Sequence, residues 1–368
     1  MKNSTPLFSV IIPVYNAAEF VPECALSVLH QTFRDLELIL VDDGSVDESL
    51  SICYKLAEID SRVVVVHQDN QGVSAARNKG LSYAHGKYIF FMDSDDKLDS
   101  TLFYDVKDSL SNIDLLILGF SVDYVGKNNQ VYSQIVSYDE FFFELPKHSY
   151  LLSSYLPSGF LNPLWNKIFR ADIIKEHHIS FEPYQIEEDM LFVASYLYHS
   201  RSVLILPNHY YHYMKRPVDS LSLKADIGML NVFILAHERL LKVFFQALSV
   251  PNVEKAMFAQ YYGLLMKLLR KVLRKQETFN DVRPWLQQIM SNPKVRHSFR
   301  YYKPSNFNKM LEIASILSKD FPFVRVDLYN IKGKIYFGEL TFYPWSGYVK
   351  FYPDEFDYEM GRKFDLKK

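Results

Sequence analysis

Three carboxylates, Asp93, Asp95 and Asp96, fall within four residues directly after the apolar run Tyr88-Ile89-Phe90-Phe91-Met92. Acids packed this tightly repel one another unless something positive sits among them, so the cluster asks for a divalent cation. A solvated turn with an Asp-rich helix cap is the ordinary alternative. Two other apolar runs end in residues with related chemistry: Pro13-Val14-Tyr15-Asn16 closes the first, and Asp42-Asp43-Gly44-Ser45 closes the second. The set suits a nucleoside diphosphate. Tyr15 stacks a flat base, Asp43 accepts from a pyrimidine N–H, and a metal at Asp95 bridges two phosphates. Arg77 adds a cation for the base or the diphosphate. Each residue also has a purely structural reading, with Tyr15 packed, Asp42 and Asp43 capping the next helix, and Arg77 paired with a surface acid. Their convergence on one crevice favours the ligand.

That convergence depends on the elements between them. Phe8–Val14, Leu36–Val41, Val63–Val66, Tyr88–Met92 and Leu115–Phe120 are short apolar runs of the kind buried on both faces of a sheet. Ala18–His30, Asp47–Ile59 and Gly72–Ala84 have helical periodicity, the second opened by Ser45 and Asp47 in capping positions. The series predicts a mostly parallel sheet with helices on both faces, whose strand ends open on one ligand crevice. GxGxxG, GxxxxGK[ST] and GxSxG are all missing from those ends, which argues against dinucleotide, P-loop and hydrolase chemistry.

Composition narrows the classes further. The chain has 368 residues, 48% hydrophobic and 23% charged, enough for a normal core in two or three units. Cys24 and Cys53 lie in helical segments without metal-ligand spacing and read as reduced packing residues in a cytoplasmic setting. The N-terminal apolar run, about eight residues without a cleavage signal, predicts no secretion. No window reaches the roughly 18–20 apolar residues of a spanning helix, so any membrane association is expected to be peripheral. A formal net charge of −2 gives no pull toward nucleic acid, which is not an expected partner.

FSVIIPVYNAAEFVPECALSVLHQTF, LILVDDGSVDES, DNQGVSAARNKGL and YIFFMDSDD together resemble family-two glycosyltransferases of the GT-A fold, over roughly residues 6–225. The resemblance implies a Rossmann-like α/β domain, a nucleotide-sugar donor, usually a UDP-sugar, and Mn²⁺ or Mg²⁺ at the Asp-x-Asp motif. Carried over residue by residue, it places Pro13, Tyr15, Asp43, Arg77, Asp93 and Asp96 at the donor, and Asp95 with Asp93 at the metal. Glu187-Glu188-Asp189-Met190-Leu191-Phe192 resembles the family's Glu-Asp-x-x-Phe motif, which implies Asp189 as the general base with Glu188 beside it. Glu187 stands where the family usually has Gly. With a base before the anomeric carbon and a metal behind the leaving group, a single in-line displacement inverts the configuration. Trp165-Asn166-Lys167 resembles the family's acceptor segment, implying Trp165 against a sugar ring. Tyr210–Arg216 is similar to a later family segment; Lys215 or Arg216 is a candidate to close over the diphosphate, and His212 either reaches the metal or packs within an aromatic strand.

Residues 226–300 read as helices, and Leu264, Leu265, Leu268, Leu269, Val272 and Leu273 oppose Lys267, Arg270, Lys271, Arg274 and Lys275. Such a face lies on an anionic membrane holding a lipid-linked acceptor, or packs its leucines on the domain before it. From about Lys303 the chain resembles the C-terminal part of ATP-grasp proteins of teichuronopeptide and capsule biosynthesis. Expected there are a helix at Asn308–Leu317 and strands at Phe323–Tyr329 and Lys334–Phe342 joined at Lys332-Gly333. Asp327 and Glu339 correspond to metal carboxylates, but the nucleotide-gripping lobes are missing, so the segment reads as a packing or assembly module. The expected organisation is a GT-A domain at 1–225, a helical extension at 226–300 and a truncated ATP-grasp-like α+β module at 301–368. The expected activity is transfer of a hexose-type sugar to a glycan acceptor, lipid-linked, in capsular, exopolysaccharide or wall polysaccharide synthesis at the inner face of the plasma membrane. The alternative is a non-catalytic nucleotide-sugar or glycan-binding scaffold, which has little use for Asp43, Asp95 and Asp189 together.

Overall fold

The computed structural model describes residues 5–126, 130–145, 147–155, 160–184 and 187–216, with shorter pieces at 236, 239–240, 242–247, 306–319, 324–331 and 334–342. The chain divides into two compact units, residues 1–279 and 280–368.

In the first unit, strands and helices alternate as the apolar runs predict: β1 (Phe8–Val14), α1 (Val21–Leu29), β2 (Leu36–Asp43), α2 (Ser49–Ile59), β3 (Val63–Gln68), α3 (Val73–Tyr83) and β4 (Tyr88–Phe91). These strands pair in parallel in the order β3-β2-β1-β4. The chain continues through β5 (Lys97–Leu98), α4 (Leu102–Val106), β6 (Leu115–Val125), β7 (Val131–Val136), β8 (Phe141–Glu144), α5 (Leu152–Tyr155), β9 (Lys167–Arg170), α6 (Ala171–Glu176), α7 (Glu188–His199) and β10 (Ser202–Lys215). β9 enters antiparallel between β4 and β6, and β6 pairs in parallel with β10. β5, β7 and β8 add short antiparallel ladders at that end of the sheet.

Alternation along each strand splits the core into two layers. Val10, Ile12, Leu38 and Leu40 pack with Val21, Cys24 and Ala25 of α1 and Cys53 of α2. Ile11, Ile39 and Val41 turn to the other layer, with Ala76 of α3 and Met190 to Ala194 of α7. Each such side chain contributes roughly 1.5–3 kcal/mol by leaving water. A Cβ at Gly80 would lie 2.4 Å from Ile11 Cγ2, so α3 sits closer to β1 than any other residue type permits.

The second helix starts at Ser49 rather than at Asp47. Asp47 receives the Ser49 N–H at 3.0 Å and the Ala18 N–H at 3.1 Å, so it fastens the helix start to the loop after β1. The region 226–300 and its basic amphipathic face lie outside the described residues apart from isolated pieces. Of these, Ala236, Leu240 and Phe244 are buried in the layer that contains α7.

The second unit comprises α8 (Phe307–Ser318) and an antiparallel pair, β11 (Val324–Ile331) and β12 (Lys334–Phe342). Asp327 falls where the register shifts between Val326 and Leu328.

Candidate active site

The ends of β1 and β2 are tied together before either meets a ligand. Asn16, in the left-handed region at φ 47°, donates its N–H to Ser45 Oγ at 3.0 Å and accepts the Val46 N–H at 2.9 Å. Tyr15 is left half exposed beside this joint, and Pro13 is partly exposed on the strand before it. Asp43 is buried, and its carboxylate accepts from Gln68 Nε2 at 2.7 Å, Gln71 N–H at 2.9 Å and Gly72 N–H at 2.8 Å. These donors shape the turn into α3 and leave one carboxylate lone pair for a base. Asp42, fully buried, pairs with His67 at 2.8 Å.

After β4 the three acids part company. Asp96 is buried, taking the Tyr211 hydroxyl at 2.5 Å and the Met214 N–H at 2.8 Å. Burial, with Asp93 and Asp95 nearby, pushes its carboxyl well above the ordinary range. Asp93 and Asp95 keep 36% and 47% of their side-chain surface, which leaves both partly open to a ligand. Burial and the charge of Asp93 raise Asp95, against the pull of Arg216. Arg216 donates to the Asp95 carbonyl at 2.8 Å and packs its guanidinium over the Phe20 ring at 4.3 Å.

Gly80, one turn beyond Arg77 on α3, lets the helix settle low enough to bury that arginine at 4% exposure. Arg77 donates to Asp189 at 2.6 Å, to Glu188 at 3.2 Å and to Asp93 at 3.3 Å, with Phe181 against its face at 5.5 Å. One guanidinium thus joins the acids after β4 to those opening α7. Burial pushes Asp189 up to about 8, helped by Glu188 and Asp93 and opposed by Arg77. The charge count supports that direction, since three carboxylates share one cation. Glu187, at φ 62°, takes a left-handed conformation that a side chain disfavours and glycine adopts freely. Burial, then Glu188, raises its carboxyl to about 7.

Asp93, Glu188 and Asp189 line a cavity of about 500 Å³ whose other walls include Trp165, Tyr213 and Lys215. Trp165, only 9% exposed, stacks on Tyr211 with ring centroids 4.4 Å apart and on Tyr213 at 5.5 Å, with Phe120 edge-on at 4.7 Å. It is therefore at once a core residue and one edge of the cavity. His212 lies between Asp99 at 3.1 Å and Asp123 at 2.9 Å, clamping β10 to its neighbours.

Asp93 and Asp95 offer the hard oxygens that Mn²⁺ and Mg²⁺ prefer. Among the described residues, no group of three or more His, Cys, Asp or Glu gathers to hold a metal unaided. The donor set fits an ion that takes one or two carboxylates and completes its sphere with phosphate oxygens and water.

The two strand-end loops and the acidic opening of α7 were legible in sequence. Sequence reasoning missed Tyr211, whose hydroxyl holds Asp96, and Lys167, whose amine is buried. It also missed Asn162 on the cavity lining. Lys167 had two signals, its place in the Trp165-Asn166-Lys167 segment and a charge inside the apolar run that becomes β9, but neither gave its amine a role.

A largely parallel sheet with helices on both faces, with Asp93 and Asp189 on the lining of one cavity beyond its strand ends, is the architecture of GT-A glycosyltransferases. Residues 9–177 match Glycosyl transferase family 2, and residues 281–365 match TupA-like ATPgrasp. The chain is 31% identical over 214 residues to glycosyltransferase GlyG of Streptococcus pneumoniae, covering 55% of this chain and 69% of that one. It is 32% identical over 216 residues to the putative glycosyltransferase EpsH of Bacillus subtilis, covering 57% of this chain and 61% of that protein. The crystal structure of S. aureus TarS 1-349 in complex with UDP-GlcNAc superposes with a TM-score of 0.60 at 20% identity, over 90% of this chain and 96% of that 1-349 chain. The chain belongs to glycosyl transferase family 2, with a TupA-like segment at its C-terminal end.

Proposed function

We propose that this protein is an inverting transferase moving a hexose-type sugar from a UDP donor to a glycan acceptor in the synthesis of a capsular, exopolysaccharide or wall polysaccharide. The observation that carries the reading is the placement of Asp93 and Asp189 on the lining of one cavity. Tyr15 and Pro13 offer the flat contact for the base, and Asp43 holds the adjoining turn with a lone pair to spare. A divalent cation, Mn²⁺ or Mg²⁺, when bound at Asp95 and Asp93, neutralises charge on the departing diphosphate.

Asp189 takes the proton of the acceptor hydroxyl as that oxygen bonds to the anomeric carbon. The carbon–phosphate oxygen bond breaks, and its electron pair leaves with UDP. A carboxyl poised above its usual range is the stronger base for this step, and Arg77 and Glu188 hold it in place. Asp96 supports the loop from behind, its two oxygens already engaged, so its contribution to donor binding runs through loop shape.

The likeness to a structure holding UDP-GlcNAc supports a nucleotide-sugar donor. The stretch at 226–300 and the segment at 301–368 are proposed as the parts that bring a lipid-linked acceptor and partners to the inner membrane face. No helix among the described residues is long and apolar enough to cross a membrane. Purified protein with Mn²⁺ should release UDP from a UDP-hexose, and Asp95→Asn and Asp189→Asn should each abolish release. Unchanged turnover in both variants would remove the mechanism.

A further inference from the structure

Lys167 is fully buried on β9, beneath the cavity wall that carries Trp165. Its Nζ donates to the Pro163 carbonyl at 2.5 Å, the Phe160 carbonyl at 3.3 Å and the Asn166 Oδ1 at 2.7 Å. All three partners are acceptors, so the amine uses three protons and sits as an ammonium, even though burial disfavours its charge. Asn166, also fully buried, adds donors to the Leu118 and Phe160 carbonyls at 3.2 and 3.5 Å. An ammonium buried among backbone carbonyls is costly, and a packed apolar residue would fill the same space without that cost. What the ammonium adds is a fixed course for the loop 160–163.

That loop faces the cavity. Asn162 and Pro163 line it beside Trp165, and Asn162 Oδ1 is buried without a hydrogen-bond partner among the described residues. Asn162 and Pro163 are each partly exposed on that wall beside the Trp165 edge, a surface of mixed polarity of the kind a sugar ring covers. It shares the cavity with Asp189, the proposed base.

We propose that Lys167 is a positioning residue that sets the acceptor-side wall of the cavity, holding Asn162 and Pro163 where a neutral, hydroxyl-rich sugar binds. This inference rests on the proposed transfer reaction for the meaning of "acceptor", but its test reads binding rather than turnover. Calorimetric titration with UDP and, separately, with p-nitrophenyl glucoside, galactoside and N-acetylglucosaminide would be run on the native protein, Lys167→Met and Lys167→Gln.

The glycoside that binds the native protein best should lose tenfold or more in affinity in Lys167→Met, with UDP affinity held within twofold. Lys167→Gln, which keeps two of the three donated hydrogens, should recover part of that loss. Equal weakening of UDP and glycoside, unchanged glycoside affinity in a folded variant, or no glycoside binding by the native protein would each overturn the proposal. Should Lys167→Met not fold, Asn162→Ala combined with Pro163→Gly must produce the same split, and its absence overturns the proposal as well. Native protein that releases no UDP yet shows the split removes the transfer reaction and leaves the wall standing.

Discussion

Arg77 on α3 and Asp189 at the start of α7 are joined by a 2.6 Å hydrogen bond, although 112 residues separate them in the chain. The same guanidinium reaches Asp93 at 3.3 Å, so one buried cation spans the acids of both proposed substrates. Arg77→Met should therefore destabilise the fold by about 3–5 kcal/mol, because it leaves an uncompensated cluster of carboxylates. Urea denaturation at pH 7 reads this loss, and a midpoint equal to that of the native protein would refute it.

Asp189, raised to about 8, ties stability to pH with a definite sign. Its stabilising contribution is complete below the ordinary aspartate range near pH 4 and disappears as pH rises through about 8. Glu187, raised to about 7, acts in the same direction. Melting temperature should fall between roughly pH 4 and 8 while turnover rises, as the base ionises. Asp189→Asn should flatten its share of the melting profile; an unaltered slope would count against the linkage.

Glu187→Gly should relieve the left-handed backbone, worth roughly 1–2 kcal/mol, and remove a carboxyl held above its usual range. The greater freedom of glycine in the unfolded chain returns up to about 1 kcal/mol. The net is a small gain that grows as pH rises from about 4.5 to about 7 and levels off above that. Thermal unfolding at pH 6 and 8 checks it, and a gain larger at pH 6 would contradict the charge account.

Tyr211→Phe removes the hydroxyl that satisfies Asp96 Oδ2 and also receives the Asp93 N–H at 3.3 Å. Leaving a buried acceptor unmet costs about 1–3 kcal/mol. Because the acid loop loses its back support, Mn²⁺ affinity in the presence of UDP should weaken too. Native-like stability together with native-like metal affinity would show that the hydroxyl does neither job.

Gly80→Ala should be disruptive out of proportion to one methyl. Its Cβ would press on Ile11 Cγ2 at 2.4 Å, so α3 must rise and carry Arg77 with it. Overpacking of this kind costs about 1–3 kcal/mol, and the UDP-release rate should fall along with stability.

The parallel half of the sheet was legible because Phe8–Val14 and Leu36–Val41 are buried on both faces and carry unbroken apolar runs. The insertion of β9 between β4 and β6 was not, since antiparallel partners are chosen by long-range packing and Lys167 interrupts the apolar signal. Asp95 and Asp189 stand out in the sequence as acids at a strand end and a helix start. The different fates of Asp93 and Asp96 do not, because a Tyr hydroxyl more than a hundred positions away decides which acid is buried. Arg77 reads in sequence as a surface cation for a ligand. Only the closeness of α3 to β1, which Gly80 permits, turns it inward.

Tyr211 presents its ring to Trp165 and its hydroxyl to Asp96. The acid loop after β4 and the Trp165 edge of the cavity are consequently tied to one side chain. A change at Trp165 is therefore transmitted through Tyr211 to Asp96, whereas Asn162 and Pro163, beside Trp165 on the same cavity lining, take no part in that stack.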